Sequence, residues 1–571
     1  MELLIVVVLG LLGIAAATAI GPRLGVAAPL LLVMVGIAVS FLPFVPDVEI
    51  DPEWILAGVL PPLLYSASVS MPSMEFRREF GAISGLSIAL VVVSAVALGF
   101  LFTWLVPGIS LAAGIALGAI VSPTDAVATS IVKRVGVTPR IVTVLEGESL
   151  LNDATALVLL RSAIAAIAAS VTFWEIVGDF VFAVAVAVVI GYVVGKANLW
   201  VRSRVTDATV NTVISFTVPF LAAVPSEALG ASGMVAAVVA GLVTGRGAIR
   251  SLSPQHRMSD VQNWRTIELI LEGAVFLVMG LELSAILEDL QDEARGIAVG
   301  WRIAAIALLA VLVVRALYVL PTLGLQRLSF RRGAAMKPRL SAEQERFDGM
   351  DPTAVPVAAE DAVPRGRTRR PQPALSAESL ERFRTRIRRK VADIDYFMAE
   401  PLGWREGTVI VWAGMRGAVT LAAAQTLPQG TPDRSLIVFI AFLVAAGSLV
   451  IQGGTLPLIV RLVKPAGIDR EAARIERTEL LGMLRGVAED VAREHRDASA
   501  AAGEPEAERD AAVEREERRA LRLEIIEAQR EALLAARDDG TFSASVLTGA
   551  LETLDADQIS MELRGEHRDE A

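Results

Sequence analysis

The chain has 571 residues, 54% of them hydrophobic, with a mean hydropathy of +0.55; such a chain is expected in a bilayer rather than in water. It holds no cysteine, which excludes disulfides, thiolate metal sites and cysteine nucleophiles, and its three histidines (His256, His495 and His567) form no HExxH pattern, which disfavours an embedded zinc protease. The net charge of −10 says little about partners, because the charges are segregated along the chain.

A spanning helix needs about 20 mostly apolar residues. Thirteen such spans are predicted, at about 2–20, 25–44, 53–70, 82–106, 111–134, 141–169, 173–199, 207–224, 229–246, 264–286, 295–320, 406–428 and 434–462. The first lacks a basic leading region and a small-residue cleavage site, so it is read as a retained helix and not a removed signal peptide. The loops after odd-numbered spans carry Arg23; Arg77 and Arg78; Lys133, Arg134 and Arg140; Lys196, Arg202 and Arg204; then Arg246, Arg250, Arg257 and Arg265. Those after even-numbered spans carry Asp47, Asp51 and Glu53; an uncharged Pro107-Gly108; Glu175; Glu227; then Glu288, Asp289, Asp292 and Glu293. Positive charge marks the cytoplasmic side. The N-terminus is then outside and the C-terminus inside, in what is expected to be a bacterial plasma membrane.

Four segments result: a membrane part over 1–325, a loop over 326–400, the last two spans over 401–465, and a tail over 466–571. Met350 to Pro373 is rich in Pro, Ala and charge and reads as disordered. Leu380 to Lys390 interleaves arginines with Phe383 and Ile387; it fits either a basic amphipathic helix on anionic lipid or a solvated linker helix. The tail, rich in Ala, Glu, Arg and Leu, predicts helices over Glu471–Arg496 and Glu504–Arg537, with a stop at Asp538-Asp539-Gly540 and one or two short helices beyond.

Three polar interruptions carry chemistry. In span five, Val121-Ser122-Pro123-Thr124-Asp125-Ala126 places a helix breaker, two hydroxyls and a carboxylate at mid-span. Pro123 lacks an N–H, so the helix is expected to kink or unwind, and broken helices at mid-membrane build the sites of many ion-coupled transporters. Thr124 would offer oxygens to a cation and Asp125 would neutralise facing helix N-termini. The plainer reading is a proline kink.

In span six, Glu146-Gly147-Glu148-Ser149-Leu150-Leu151-Asn152-Asp153 sets Glu148 with Asn152, and Ser149 with Asp153, as i,i+4 pairs. Intramembrane carboxylates are costly and face a pathway with a partner. Asp153, Ser149 and Thr124 supply the oxygen ligands that a hard cation such as Na⁺ wants. A carboxylate in a low-dielectric site must be neutralised by a proton or by a cation, and one site for two competing ions is the minimum machinery of an exchanger.

In span twelve, Arg416 within Met415-Arg416-Gly417-Ala418-Val419-Thr420 keeps its charge near mid-span and needs an acid; Glu148 is the expected partner, and the plainer reading is an arginine that snorkels to the cytoplasmic edge. Spans five and twelve lie seven helices apart, so they run in opposite directions and fit counterparts in inverted repeats of spans 1–6 and 8–13. Glu272 in span ten and Arg315 in span eleven are secondary candidates, which either pair with each other or line the cytoplasmic funnel.

These motifs, together with Pro61-Pro62-Leu63-Leu64-Tyr65, resemble the NhaP/NHE-like branch of the Na⁺/H⁺ exchanger family of monovalent cation:proton antiporters, over about residues 1–325 and 400–465. Ser66 stands where an acidic residue is common in that family. The resemblance implies an all-α polytopic membrane protein of thirteen helices, with crossed, unwound helices at spans five and twelve, working as a homodimer by elevator-like alternating access. It implies that Asp153 binds the ion, that Ser149 and the Thr124 carbonyl assist, and that Asn152 helps hold a Glu148–Arg416 pair. It implies electroneutral exchange, which the Asn152-Asp153 order marks. No cofactor, enzyme activity or nucleic-acid partner is expected; the partners are monovalent cations, protons, lipid and a second copy. A K⁺/H⁺ exchanger on the same scaffold is the nearest alternative, ahead of a membrane enzyme and of a channel or non-transporting sensor.

Overall fold

The computed structural model describes residues 2–43, 51–168, 173–291, 297–348, 377–501 and 511–569. The stretch expected to be disordered, 350–373, lies outside them, as do Asp47, Asp292 and Glu293.

Among the described residues every regular element is a helix. In chain order these are α1 (Glu2–Leu24), α2 (Ala28–Ser40), α3 (Trp54–Ser70), α4 (Ser73–Leu105), α5 (Leu111–Val121), α6 (Val127–Val135), α7 (Pro139–Ala168), α8 (Phe173–Arg202), α9 (Ala208–Ala228), α10 (Gly233–Ser251), α11 (Pro254–Leu281), α12 (Leu283–Gln291) and α13 (Ile297–Asp348). There follow α14 (Ala377–Ala399), α15 (Trp404–Trp412), α16 (Ala418–Gln425), α17 (Arg434–Val463), α18 (Arg470–Ala501), α19 (Ala511–Asp539) and α20 (Ala544–Asp569).

The chain forms two compact units, one of residues 1–323 and 404–468, the other of 324–403 and 469–571. In the first unit, nine helical stretches among the described residues are long and apolar enough to cross a membrane; α2, α3 and α5 are shorter and also apolar. Leu4, Leu9 and Leu12 on α1 and Val181, Val189 and Val193 on α8 are exposed. So much contiguous apolar surface is tolerated by hydrocarbon and not by water.

Local chemistry sets the ends. Ser110, Asp207, Ser232 and Ser253 each accept a hydrogen bond from the first turn of the helix they precede, at 3.1, 2.8, 3.4 and 3.3 Å. Gly136 ends α6 with φ of 79°, a conformation that a side chain would resist. Small residues let helices touch: a Cβ on Gly118 of α5 would lie 2.3 Å from the carbonyl oxygen of Ala95 on α4, and one on Gly36 of α2 would lie 2.4 Å from that of Leu277 on α11.

Two arginines counted among the loop charges are in fact buried. Arg140 donates to Glu79 at 2.6 Å, and Arg202 to Asp260 at 2.5 Å and Asn211 at 2.6 Å. Each sits at a helix end where a neighbouring helix supplies the acid. Asp260→Ala would strand the Arg202 charge, which costs about 3–5 kcal/mol. The melting temperature in detergent should fall accordingly; no change would show that Arg202 finds water instead.

The second unit has its own core, in which Leu480 and Leu484 of α18, Ile526 and Leu533 of α19, and Leu547 and Leu554 of α20 are buried together. Glu476 ties α18 to the start of α20, accepting from the Ser543 hydroxyl at 2.9 Å. The loop helix α14 joins this unit through Arg388, 3.2 Å from Asp539, and Arg389, which donates to the Asp538 carbonyl at 2.6 Å.

Candidate functional site

The two interrupted helices meet at their interruptions. α5 stops at Val121 and α6 starts at Val127; α15 stops at Trp412 and α16 starts at Ala418. Pro123 breaks the first by removing a donor. Gly414 and Gly417 serve the second by closeness: a Cβ on Gly414 would lie 2.5 Å from Arg315 Nε, and one on Gly417 only 1.4 Å from Asp125 Oδ2.

One backbone bond joins the breaks directly, from Asp125 N–H to the Met415 carbonyl at 2.8 Å. The two charged residues sort by helix polarity. Arg416 donates to the carbonyls of Val121 (2.8 Å), Ser122 (3.4 Å) and Gly414, at the C-terminal ends of α5 and α15. Asp125 accepts from Val127 N–H at 2.9 Å, at the start of α6, and lies against Gly417, just before α16. Cations at helix C-termini and anions at N-termini are the favourable pairing.

α7 presents two faces to this crossing. Glu148 and Asn152 both reach Thr124: its hydroxyl donates to Glu148 Oε1 at 3.1 Å, while Asn152 Nδ2 donates to its carbonyl at 3.0 Å and its hydroxyl oxygen at 2.7 Å. Ser149 and Asp153, one position on, instead line a cavity of about 360 Å³ with Thr124, Asp125, Thr129, Glu268, Glu272 and the first turn of α16. Asp153 is 9% exposed and has no hydrogen bond or ion pair among the described residues. The cavity wall also carries Lys133 and Glu146, which pair with each other.

The expected Glu148–Arg416 pair does not form. Glu148 is instead held by Arg315 of α13, in a two-pronged ion pair whose second prong measures 2.8 Å, and Arg315 Nε donates to the Ile410 carbonyl at 3.0 Å. A guanidinium fork matches a carboxylate in this way. Arg416 spends its donors on carbonyls. The pairing of Arg315 with Glu272 fails for the same reason, and Glu272 lies on the cavity wall. Asn152 therefore holds Thr124, not an ion pair with Arg416.

Sequence reasoning missed the supports. Ser448 of α17 accepts from Arg416 N–H at 2.8 Å, and Ser87 of α4 donates to the Glu148 carbonyl at 3.1 Å. Gln452 of α17 is fully buried and its amide has no partner among the described residues. Its signal was available: it is an amide inside an apolar span.

The pattern described as "Sodium/hydrogen exchanger, transmembrane" matches residues 7–337 and 389–462. The chain belongs to the sodium/hydrogen exchanger family. Within the family it is 36% identical over 271 residues to the Na⁺/H⁺ exchanger YjcE of Escherichia coli, a match covering 46% of this chain and 49% of that one. It is 27% identical over 589 residues to a Na⁺/H⁺ exchanger of Mycobacterium tuberculosis, covering 98% of this chain and 96% of the relative. The fold is similar to that of the sodium proton antiporter MjNhaP1 of Methanocaldococcus jannaschii, with a TM-score of 0.55 at 16% identity over 81% of this exchanger-family chain and 99% of the other.

Proposed function

We propose that this exchanger-family protein swaps Na⁺ or Li⁺ for H⁺ without net charge movement, with Asp153 holding either ion in turn. The observation that carries this reading is the state of the deep acids. Glu148 is neutralised by Arg315, and Asp125 is fixed at helix N-termini. Asp153 is buried and without a partner, and it faces the cavity. A buried carboxylate needs a counter-charge or a proton. One such group accepts one cation or one proton, and the loaded carrier has the same charge either way.

In this reading Ser149 and Thr124 supply neutral oxygens beside Asp153, and Glu272 lines the approach. The α5–α6 and α15–α16 pairs each count as one interrupted crossing, which with α1–α4, α7–α10, α11 with α12, α13 and α17 gives thirteen. Spans 1–6 and 8–13 are then inverted repeats, the N-terminus is outside, and a homodimer in the plasma membrane works by alternating access. The physiological role is pH homeostasis and sodium tolerance.

The test is proton flux in sealed proteoliposomes, with Na⁺, Li⁺ or K⁺ added, and with or without a membrane-potential clamp. Wild type should respond to Na⁺ and Li⁺ equally with and without the clamp, and Asp153→Asn should lose the response. The apparent KM for Na⁺ should rise as pH is lowered, because protons compete for the same oxygens. A response to K⁺ alone would replace Na⁺ by K⁺ as the cargo. Clamp-dependent flux would overturn electroneutrality, and an active Asp153→Asn variant would overturn the site.

A further inference from the structure

Hydroxyls inside the helices of the first unit commonly bond to their own backbone. Thr155 on α7 donates to the Leu151 carbonyl at 3.0 Å, and Thr103 on α4 to that of Gly99 at 2.8 Å, each one turn back along its helix. Such a hydroxyl is already spent. Thr129 on α6 departs from this habit. It is 4% exposed, and its hydroxyl has no hydrogen-bond partner among the described residues. The break in the chain accounts for this. Four residues before Thr129 stands Asp125, which precedes α6, and the Thr129 N–H itself reaches only three back, to the Ala126 carbonyl at 2.9 Å. The interruption at Pro123 thus removes the carbonyl that a helical threonine would use. A buried hydroxyl left this way is costly unless something else meets it.

Its place says what would. Thr129 lines the same cavity as Asp153. So does Lys133, four residues on and on the same face of α6, where it pairs with Glu146 of α7. That pair marks the open end, with 57% and 26% of its side chains exposed. At a rise of about 1.5 Å per residue, Thr129 lies about 6 Å inward from the pair along α6, and Asp153 about 10 Å inward along α7. A cation coming from the pair passes Thr129 before it reaches Asp153. Glu268 and Glu272 of this cavity supply negative charge. A hydroxyl oxygen supplies an acceptor for the protons of a hydration shell.

We propose that the Thr129 hydroxyl is a waiting station for the hydrated alkali cation, one step short of Asp153. The station rests on the exchange reading and adds a residue to it. Its oxygen accepts from a water of the cation's shell, and that shell is given up only at Asp153, Ser149 and Thr124. Because it holds the ion without stripping it, the station sets how often Asp153 is met and not which ion stays.

Proton flux in proteoliposomes tests this, with full-length Thr129→Val read across a range of Na⁺ and Li⁺ concentrations. Valine keeps the shape and removes the oxygen. The apparent KM should rise about three- to tenfold for both ions alike, the worth of one neutral hydrogen bond, while kcat changes far less. The melting temperature in detergent should hold or rise, since the substitution removes a buried hydroxyl that has no protein partner. Thr129→Ser, which restores the oxygen, should bring KM back toward wild type. Should the valine variant not fold, Thr129→Ala gives the same reading of KM. An unmoved KM overturns the station. So does a kcat that falls together with the melting temperature, which would make the hydroxyl part of the frame. A changed preference between Na⁺ and Li⁺ overturns it as well, by making Thr129 a ligand beside Asp153. Wild-type vesicles silent to both ions would strike down the exchange reading and the station with it, whereas active vesicles with an unmoved KM strike down the station alone.

Discussion

Arg315→Met should abolish cation-driven proton flux and destabilise the protein by about 3–5 kcal/mol, the cost of leaving a buried charge without its partner. Glu148 is 1% exposed, and besides Arg315 only the Thr124 hydroxyl reaches its carboxylate among the described residues. With the guanidinium gone, the acid must take up a proton or pull in water, and Thr124, one of the proposed ligands, moves with it. A double-mutant cycle separates this from general damage. Arg315→Met and Glu148→Gln together should be less harmful than the sum of the two, with a coupling energy of about 2–3 kcal/mol, the upper range for contacting pairs. The same cycle between Arg416 and Glu148 should give a small coupling. If 416 and 148 couple strongly and 315 and 148 do not, the pairing in the structure is wrong and the sequence expectation right.

Gly417→Ala should be as damaging, for a different reason. A methyl group there would sit 1.4 Å from Asp125 Oδ2, closer than any non-bonded contact permits. Either the Asp125 carboxylate leaves the N-terminus of α6 or the α15–α16 break opens. Transport should fall at least a hundredfold in proteoliposomes, about 2.7 kcal/mol or more in the rate-limiting barrier. Asp125→Ala would lose transport by itself, so the informative readout of the pair is stability. Gly417→Ala should lower the melting temperature in the wild-type background and much less in an Asp125→Ala background. Equal losses in both would show that the methyl group clashes with something other than Asp125.

The sequence made the interruptions legible because proline and glycine act on their own backbone. Pro123 and the Gly414–Gly417 segment fall within the gaps between α5 and α6 and between α15 and α16. The two faces of α7 were legible for the same local reason: helical spacing separates 148 and 152 from 149 and 153 whatever surrounds them. Lateral neighbours were not legible. Arg315 and Arg416 both sit inside apolar stretches, and nothing in their flanks says which one a helix far away in sequence will present to Glu148. Arg140 and Arg202 misled in the same way, since a cation at a helix end looks solvated until a neighbouring helix supplies Glu79 or Asp260. For α14 the amphipathic pattern left lipid and solvent open; the structure adds a third partner, the Asp538-Asp539 corner of the tail.

The size of the cavity beside Asp153 bears on how the protein would tell one alkali ion from another. A volume of about 360 Å³ holds about a dozen waters at about 30 Å³ each. On the proposed reading, an ion entering it would keep most of its hydration shell and give up water only on the side that meets Asp153, Ser149 and Thr124. In that case the cavity would filter charge rather than radius. Discrimination among Li⁺, Na⁺ and K⁺ would then fall to the last exchange of water for protein oxygen, where the cost of stripping the smaller ion is set against its tighter fit. Substitutions along the wall should alter how fast any cation arrives, and those at the three proposed ligands should alter which cation stays.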